Sequence, residues 1–353
     1  MLDPRQFFTA EQKCDVAKDP AFPYCPAKLH IYPTYQCLNT CKHCWQSPLR
    51  SEARLDPNAL DQLLLALPFP PVSISLLGGD LQLLPEDYYD RVLKKCLDAT
   101  AAVTVQLGLD RETPRLQALT SAITRVSASF DLSRPPFIGK RNHDLLAAVE
   151  SSTLRRQINT LRDAGKVVTL LVTLTDETRA VPVGILCDCI YTLLDPNTVV
   201  FLTEKGQLAA GSERYAETGK KLREIAAALP ELCIEKSAPL SVSRPKRGGV
   251  GGPIECQKRV SLSLHPDNTV NVGMHRAADN SRRLQLPSSN LREKLHESVS
   301  QSWSSADHRC QNCLRRFRCL EWQSVPPGQL LDSASECLGL RRTLSELERF
   351  HME

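Results

Sequence analysis

The sequence contains no apolar run long enough to cross a membrane; the nearest candidate, 183–194, is short and carries Asp188. No basic and then apolar leader opens the chain, so we expect a cytoplasmic protein with reduced thiols. Neither sign of charge dominates, because 44 basic and 40 acidic residues give a formal net charge of +4. This mixed charge indicates neither a nucleic-acid partner nor a membrane partner.

Cysteine, in contrast, is abundant, with 14 residues in a chain of 353. In a reducing compartment, clustered cysteines more often bind metal or carry out redox chemistry than form disulfides. Cys37, Cys41 and Cys44 follow an apolar strand at the spacing C-x3-C-x2-C. Three thiolates are one fewer than a [4Fe-4S] cluster usually takes, so one iron would stay open for an external ligand. The alternatives are a zinc knuckle, which would need a fourth ligand close by, and buried structural thiols.

Strands and helices alternate from residue 29 to about 206. Strands are predicted at 29–35, 72–77, 102–107, 125–130, 167–173 and 185–193, with a further candidate at 199–202. Helices are predicted at 57–66, 85–98, 114–119 and 144–164. This rhythm indicates parallel βαβ units in an α/β fold, namely a partial (β/α)6 TIM-like barrel. Its active site would lie at the C-terminal ends of the strands, directly where the three cysteines follow the first strand.

Three regions are expected along the chain. Residues 1–28 form a proline-rich N-terminal arm, 29–243 the barrel, and 253–353 a small C-terminal domain. The boundary is the glycine-rich stretch between the last two, which indicates a flexible loop. Within the C-terminal domain, we predict a hairpin of strands 260–264 and 269–272 and a helix at 291–301.

Polar or small residues follow other predicted strands. Gly78, Gly79 and Asp80 end the second strand, and Ser129 and Asp131 end the fourth. Paired glycines let a backbone approach a ligand closely, although such a pair is an ordinary turn in most proteins. Ser and Asp after a strand most often form a turn or a helix cap.

The strand predicted at 185–193 would place Cys187, Cys189 and Tyr191 on one face, because alternate residues of a strand share a face. If that face points to a substrate, either thiol or the tyrosine would be in place to donate a hydrogen atom. Otherwise the two cysteines are core residues.

A second cysteine group lies near the C-terminus. Cys310, Cys313 and Cys319 have the spacing C-x2-C-x5-C, and Cys337 follows. Four thiolates are enough for a [4Fe-4S] cluster or a structural zinc site, and spacing alone does not separate the two.

Taken together, the first cysteine run, the glycine pair and the Ser-x-Asp segment resemble the radical S-adenosylmethionine (SAM) superfamily. The resemblance implies that Cys37, Cys41 and Cys44 hold a [4Fe-4S] cluster whose open iron binds SAM. It further implies SAM contacts from a set of six residues. These are Gly78, Gly79, Asp80, Ser129, Asp131 and His43.

Two of these positions depart from the superfamily pattern: Asp80 stands where Glu is usual, and His43 where an aromatic residue is usual. One arginine would hold the SAM carboxylate, and the candidates are Arg141, Arg155 and Arg156.

The C-terminal cysteines resemble the SPASM extension of radical SAM enzymes. The resemblance implies one auxiliary [4Fe-4S] cluster on Cys310, Cys313, Cys319 and Cys337. Gln323 replaces the Cys that would serve a second auxiliary cluster, and Cys256 stays unassigned.

The function implied by the resemblance is that of a radical SAM oxidoreductase. We expect maturation of a ribosomally made peptide by oxidative cross-linking, with an external electron donor such as flavodoxin or ferredoxin. The alternative is a radical epimerase or dehydrogenase of a carbohydrate or another small-molecule substrate in a natural-product pathway. A different class remains open, a non-enzymatic scaffold with structural zinc.

Overall fold

A computed structural model describes residues 25–39, 41, 44, 46, 49–67, 70–193, 199–203, 220–221, 224–225, 227–228, 259–272 and 283–304. The chain divides into two compact units. The first contains the chain up to Cys37, Leu49–Thr104 and the later strands from residue 259. The second contains the described parts of Leu38–Pro48 and Val105–Pro245.

Strands and helices alternate along most of the described chain. The strands are β1 (Cys25–Ile31), β2 (Ser73–Leu76), β3 (Val103–Leu107), β4 (Arg125–Phe130), β5 (Val167–Leu174), β6 (Val199–Thr203), β7 (Arg259–Leu264), β8 (Thr269–Val272) and β9 (Leu284–Gln285). The helices are α1 (Pro57–Ala66), α2 (Glu86–Ala99), α3 (Leu116–Thr120), α4 (Asn142–Glu150), α5 (Thr153–Asp163), α6 (Asp176–Ala180), α7 (Val183–Leu193) and α8 (Leu291–Ser304).

The sheet order is β6-β5-β4-β3-β2-β1-β7-β8-β9. Strands β1 and β2 are parallel, as are β4 and β5, and β5 and β6. Neighbours in the chain are therefore neighbours in the sheet from β1 to β6, which is the order of a (β/α) barrel. A doubly wound sheet would reverse its order at a switch point. The predicted α/β fold with a partial TIM-like barrel is confirmed.

Alternating burial explains why the strands of the second unit form. On β4, Val126, Ala128 and Phe130 are fully buried, while Ser129 between them is half-buried. On β5, Leu170 and its alternate neighbours are fully buried as well. One fully buried apolar face of each strand thus forms the core, while the other face is polar on β4 and a mixture of Val, Leu and Thr on β5.

The predicted strand at 185–193 is wrong, because these residues lie in helix α7. Leu186, Ile190 and Leu193 are fully buried, which is the three-to-four-residue spacing of a helix face. A short apolar run fits a buried helix as well as a buried strand, and the sequence pattern did not separate them. The sixth strand is instead β6, the further candidate at 199–202.

The predicted helix at 144–164 is two helices, α4 and α5. Ser152 stands between them, and its hydroxyl accepts a hydrogen bond from the Arg155 backbone N–H at 3.1 Å. This N-cap starts α5. Gly165 ends the pair with a φ of +73°, as glycine at a helix end commonly does.

The predicted hairpin after residue 259 is confirmed as β7 and β8, with Asn268 at a φ of 59° in its turn. The sequence did not predict where the hairpin lies in the sheet. Strand β7 pairs in parallel with β1. The strand that leads to the three cysteines thus has a neighbour on both sides. The expected boundary between barrel and C-terminal domain, like the cysteines at 310–337, lies outside the described residues.

Within the described part of the chain, no helix has both the length and the apolar character needed to span a membrane.

The exposure of two neighbouring residues of α7 gives a test that distinguishes a helix from a strand at this position. Ile190 is fully buried and Tyr191 is 42% exposed. We expect Ile190→Ala to lower the free energy of unfolding by about 2–5 kcal/mol and Tyr191→Ala by under about 1 kcal/mol. Denaturant unfolding of both variants measures the difference. A larger loss for Tyr191→Ala would support the strand pattern instead.

Candidate functional site

The three cysteines of the first group differ from the other described thiols in accessibility. Cys37, Cys41 and Cys44 are half-buried thiols, and the Cys44 backbone N–H donates to the Cys41 carbonyl at 3.2 Å. Cys96 and Cys189, in contrast, are fully buried, and burial raises the pKa of the Cys189 thiol to about 12. The first group therefore has the accessible thiols that a metal ligand needs.

The donor set fits a cluster with one open iron, since three thiols lie within the eight-residue span 37–44 that follows β1. Among the described residues, no group of three or more His, Cys, Asp or Glu side chains is already arranged around a metal position. The fit consequently rests on donor chemistry and accessibility. His43 lies outside the described residues, and its predicted contact stays a prediction.

The glycine pair after β2 packs against the backbone that leads to the cysteines. A Cβ on Gly79 would overlap the Gln36 carbonyl, and one on Gly78 would lie 2.5 Å from the Thr34 carbonyl oxygen. Gly78 also has a φ of +128°. The Gly79 N–H donates to the Thr34 carbonyl at 3.0 Å, and the Asp80 N–H to the Gln36 carbonyl at 2.7 Å. Glycine is needed here because two backbones touch.

Asp80 organises the turn that follows. Its carboxylate accepts from the Gln82 backbone N–H at 3.4 Å and from the Gln82 side-chain amide at 2.7 Å. This makes it the N-cap of a short 3-10 helix, Leu81–Leu83. The predicted contact to SAM is not tested by these bonds.

At the end of β4, Ser129 is half-buried, and its hydroxyl lies 3.4 Å from the Gln106 side-chain amide nitrogen, which donates to it. Asp131 is buried, and its carboxylate accepts hydrogen bonds from residues that follow it closely in the sequence. Its Oδ1 accepts from the Ser133 N–H at 2.9 Å, and its Oδ2 from Arg134 Nε at 2.9 Å. Ser129 thus remains the more accessible of the two predicted SAM contacts.

Arg134 is the residue that sequence reasoning missed. It bonds Asp131 and, through Nη1 at 3.3 Å, Asp110 beyond β3. Burial lowers the pKa of its guanidinium, but Cys41, Asp110 and Asp131 outweigh that effect and raise the pKa above its ordinary value. Its position three residues after Asp131 was the available sequence signal.

The three arginines named from the sequence have other surroundings. Arg141 is exposed and precedes α4. Arg155 donates to the Glu150 carbonyl at 3.2 Å, and Arg156 forms an exposed ion pair with Glu112. The role of one of them in holding the SAM carboxylate stays a prediction.

An aromatic cluster in the first unit was also missed. The Tyr35 hydroxyl hydrogen-bonds His265 Nδ1, and Tyr32 stacks on the His265 ring with centroids 5.1 Å apart. His265 is fully buried, and burial lowers its pKa to about 4, helped by the Arg283 charge and opposed by Asp267. The cluster fastens the turn after β7 to Tyr35, two residues before Cys37.

In each unit the strand face opposite the apolar one carries polar groups. In the first unit, His30 is in register with Ser263, which is in register with Asn271, and all three are buried. In the second unit, Ser127 and Ser129 occupy that face of β4. In a (β/α) barrel the face away from the helices is the interior, so these are the interior-facing groups.

The hydrogen donors expected on a strand do not share a face. In helix α7, residues two apart point in nearly opposite directions. Cys187 and Cys189 are buried among core residues, whereas Tyr191 is exposed. The shared-face argument for their catalytic role is therefore wrong. The auxiliary set Cys310, Cys313, Cys319 and Cys337 lies outside the described residues and stays a prediction.

Solved structures with a similar fold are known. Streptococcus suis SuiB bound to S-adenosylmethionine is 13% identical, with 93% of this chain and 79% of that chain covered and a TM-score of 0.58. Histidine-tagged anSMEcpe with bound AdoMet is 16% identical, with 92% and 96% covered and a TM-score of 0.61. Native anSMEcpe with AdoMet and the Cp18Cys peptide is 14% identical, with 93% and 97% covered and a TM-score of 0.61.

Neither a family model nor a curated protein matches the sequence. SuiB and anSMEcpe are radical SAM enzymes. The chain has the fold of this class, and the similarity covers both units.

The glycine contact yields a test. Gly79→Ala should lower the free energy of unfolding by about 1–3 kcal/mol and reduce metal uptake, because the new Cβ displaces the backbone before Cys37. Gly184→Ala is the matched control, since a Cβ there meets nothing within 4 Å. Denaturant unfolding and metal analysis measure both. Equal behaviour of the two variants would contradict the packing role.

His265 predicts a pH dependence. Its ordinary pKa is 6.5, against about 4 in the folded chain. The unfolded chain therefore binds more protons below pH 6.5, so the stability present above that pH is lost as the pH falls towards 4. Unfolding measurements should show a loss of about 2 kcal/mol between pH 7.5 and 5 that His265→Gln lacks. The exposed His143, changed to Gln, should keep the wild-type loss. A His265→Gln profile equal to wild type would refute the assignment.

Proposed function

We propose that this chain is a radical SAM enzyme that modifies a ribosomally made peptide by oxidative cross-linking. The observation that carries the chemistry is the contact between the glycine pair after β2 and the Thr34–Gln36 backbone, which leads into three accessible thiols. The contact sets strand-end groups beside the cysteine segment, at the end where (β/α) barrels hold their active sites.

In this proposal Cys37, Cys41 and Cys44 hold a [4Fe-4S] cluster. A cluster held there would supply the electron for reductive cleavage of SAM to methionine and a 5′-deoxyadenosyl radical, and that radical would take a hydrogen atom from the substrate. The chain's own residues bind and orient. Gly78, Gly79 and Ser129 would contact SAM, Asp80 would fix the turn, and the barrel would exclude water.

The peptide substrate is supported by two solved structures of the same fold. SuiB has been solved with its precursor peptide SuiA, and anSMEcpe with the Cp18Cys peptide. Oxidative cross-linking removes two electrons from the peptide. One leaves with the abstracted hydrogen atom, and the other needs an acceptor. The proposed auxiliary [4Fe-4S] cluster on the four C-terminal cysteines would supply it, and a flavodoxin or ferredoxin would reduce the first cluster. Reduced clusters of this kind suit the cytoplasm.

The carbohydrate alternative has lost an argument. Epimerisation needs a hydrogen donor on the opposite face of the substrate, and the thiols suggested for it are buried in α7. A dehydrogenation needs no such donor. Dehydrogenation of a carbohydrate is therefore the alternative that the substrate experiment below compares with peptide modification.

Metal analysis of the anaerobically purified protein tests the first step. We expect iron with absorbance near 400 nm, and loss of about half of that iron in Cys37→Ala if two clusters are present. The SAM-dependent change of the reduced cluster's electron paramagnetic resonance spectrum should vanish with it. Cys96→Ala is the control, because Cys96 is fully buried in α2 and is not a proposed ligand. Stoichiometric zinc in place of iron would point to the scaffold alternative.

The substrate class is tested separately. A short open reading frame beside the gene would encode the candidate peptide, and its synthetic form should increase 5′-deoxyadenosine production and lose two hydrogens by mass spectrometry. A mass loss on a neighbouring pathway's sugar, with no change in the peptide, would favour the carbohydrate alternative.

A further inference from the structure

Arg134 joins the loops that follow two strands of the second unit. Its Nε donates to Asp131 Oδ2 at 2.9 Å, and its Nη1 to Asp110 Oδ1 at 3.3 Å. The side chains of Asp131 and Asp110 are 1% and 7% exposed, and that of Arg134 is 13% exposed. One guanidinium therefore neutralises part of the charge of two buried carboxylates.

The same group of side chains reaches the cysteine segment. Asp110 Oδ1 also accepts from Asn39 Nδ2 at 3.5 Å, and Asn39 lies two residues before Cys41. A Cβ on Gly108 would lie 3.2 Å from Asn39 Nδ2 and 3.8 Å from Arg134 Nη1. The absence of a side chain at Gly108 leaves the room in which these groups meet.

The charges around Arg134 do not cancel locally. Two carboxylates face one guanidinium, and Cys41 adds a negative charge when its thiol ionises to bind metal. Among the charged neighbours, Cys41 is the one that raises the pKa of Arg134 most, although burial opposes it. Geometry points the same way, because Arg134 Nη1 and the side chain of Asn39, two residues before Cys41, donate to the same atom, Asp110 Oδ1.

We propose that Arg134 is a positioning residue that holds the Asn39–Cys41 segment through Asp110 and offsets the charge of the Cys41 thiolate. The inference rests on the proposed function, because the thiolate is assigned there as a cluster ligand. A cation beside a thiolate-ligated cluster stabilises its reduced, more negative form, so it raises the reduction potential. The arginine thereby affects both metal retention and the ease of reduction.

The test compares Arg134→Met and Arg134→Lys with wild type. Arg134→Met removes the charge and should bind metal about 10-fold more weakly and, in a redox titration followed by electron paramagnetic resonance, lower the potential of the SAM-responsive cluster. Arg134→Lys keeps a positive charge but loses the forked geometry, so its potential should stay closer to wild type while its metal retention falls. Arg125→Met, at the exposed first residue of β4 in the same unit, is the matched control.

Asp110→Asn, alone and combined with Arg134→Met, distinguishes an effect of the Arg134 charge from a failure of the variant to fold. Asp110→Asn removes a negative charge and should raise the potential, and the double variant should fold and lie between the two single variants. Wild-type retention and potential in Arg134→Met would overturn the proposal, as would equal shifts in Arg134→Met and Arg125→Met. If the wild type holds zinc, the proposed function fails, and the same retention comparison made with zinc still decides the role of Arg134.

Discussion

The close approach of two backbones is the constraint on which the rest of the candidate site depends. The segment Thr34–Gln36 continues β1 towards the cysteines, and it touches Gly78 and Gly79 where β2 ends. Neither glycine has room for a side chain. Because β1 also pairs with β7, the segment leaves a strand that is held on both sides. These main-chain contacts therefore fix the start of the cysteine loop.

After Cys37, the cysteine segment is held by charged side chains. Hydrogen bonds of Asn39, Asp110, Arg134 and Asp131 form a buried charged network in the second unit. In the first unit, the neutral His265 and Tyr35 fasten the turn after β7 to the chain before Cys37. Two physically different devices therefore support the cysteine segment. Main-chain packing and aromatic contacts hold the chain before it, and buried electrostatics hold Asn39 within it.

Much of the fold followed from the sequence because apolar strands and helices alternate along the chain, and on β4 the fully buried apolar residues lie two apart. β4 was predicted at its observed bounds, and α1 likewise. Helix α7 was missed because a short run containing Leu186, Cys187 and Ile190 has no period that excludes a strand. The pairing of β7 with β1 was missed because a parallel partner far along the chain leaves no local signal. The same holds for His265, whose contacts join distant segments. Arg134 had one local signal, its place three residues after Asp131, but its contact with Asp110 had none.

The central claim is that the chain binds SAM at a cluster on Cys37, Cys41 and Cys44 and cleaves it reductively. The most direct test is anaerobic incubation of the reconstituted, dithionite-reduced protein with SAM, followed by quantification of 5′-deoxyadenosine and methionine. The account predicts both products in equal amounts, and neither when Cys41 is replaced by Ala. A protein that carries a full iron complement but leaves SAM intact, with or without substrate, would contradict it.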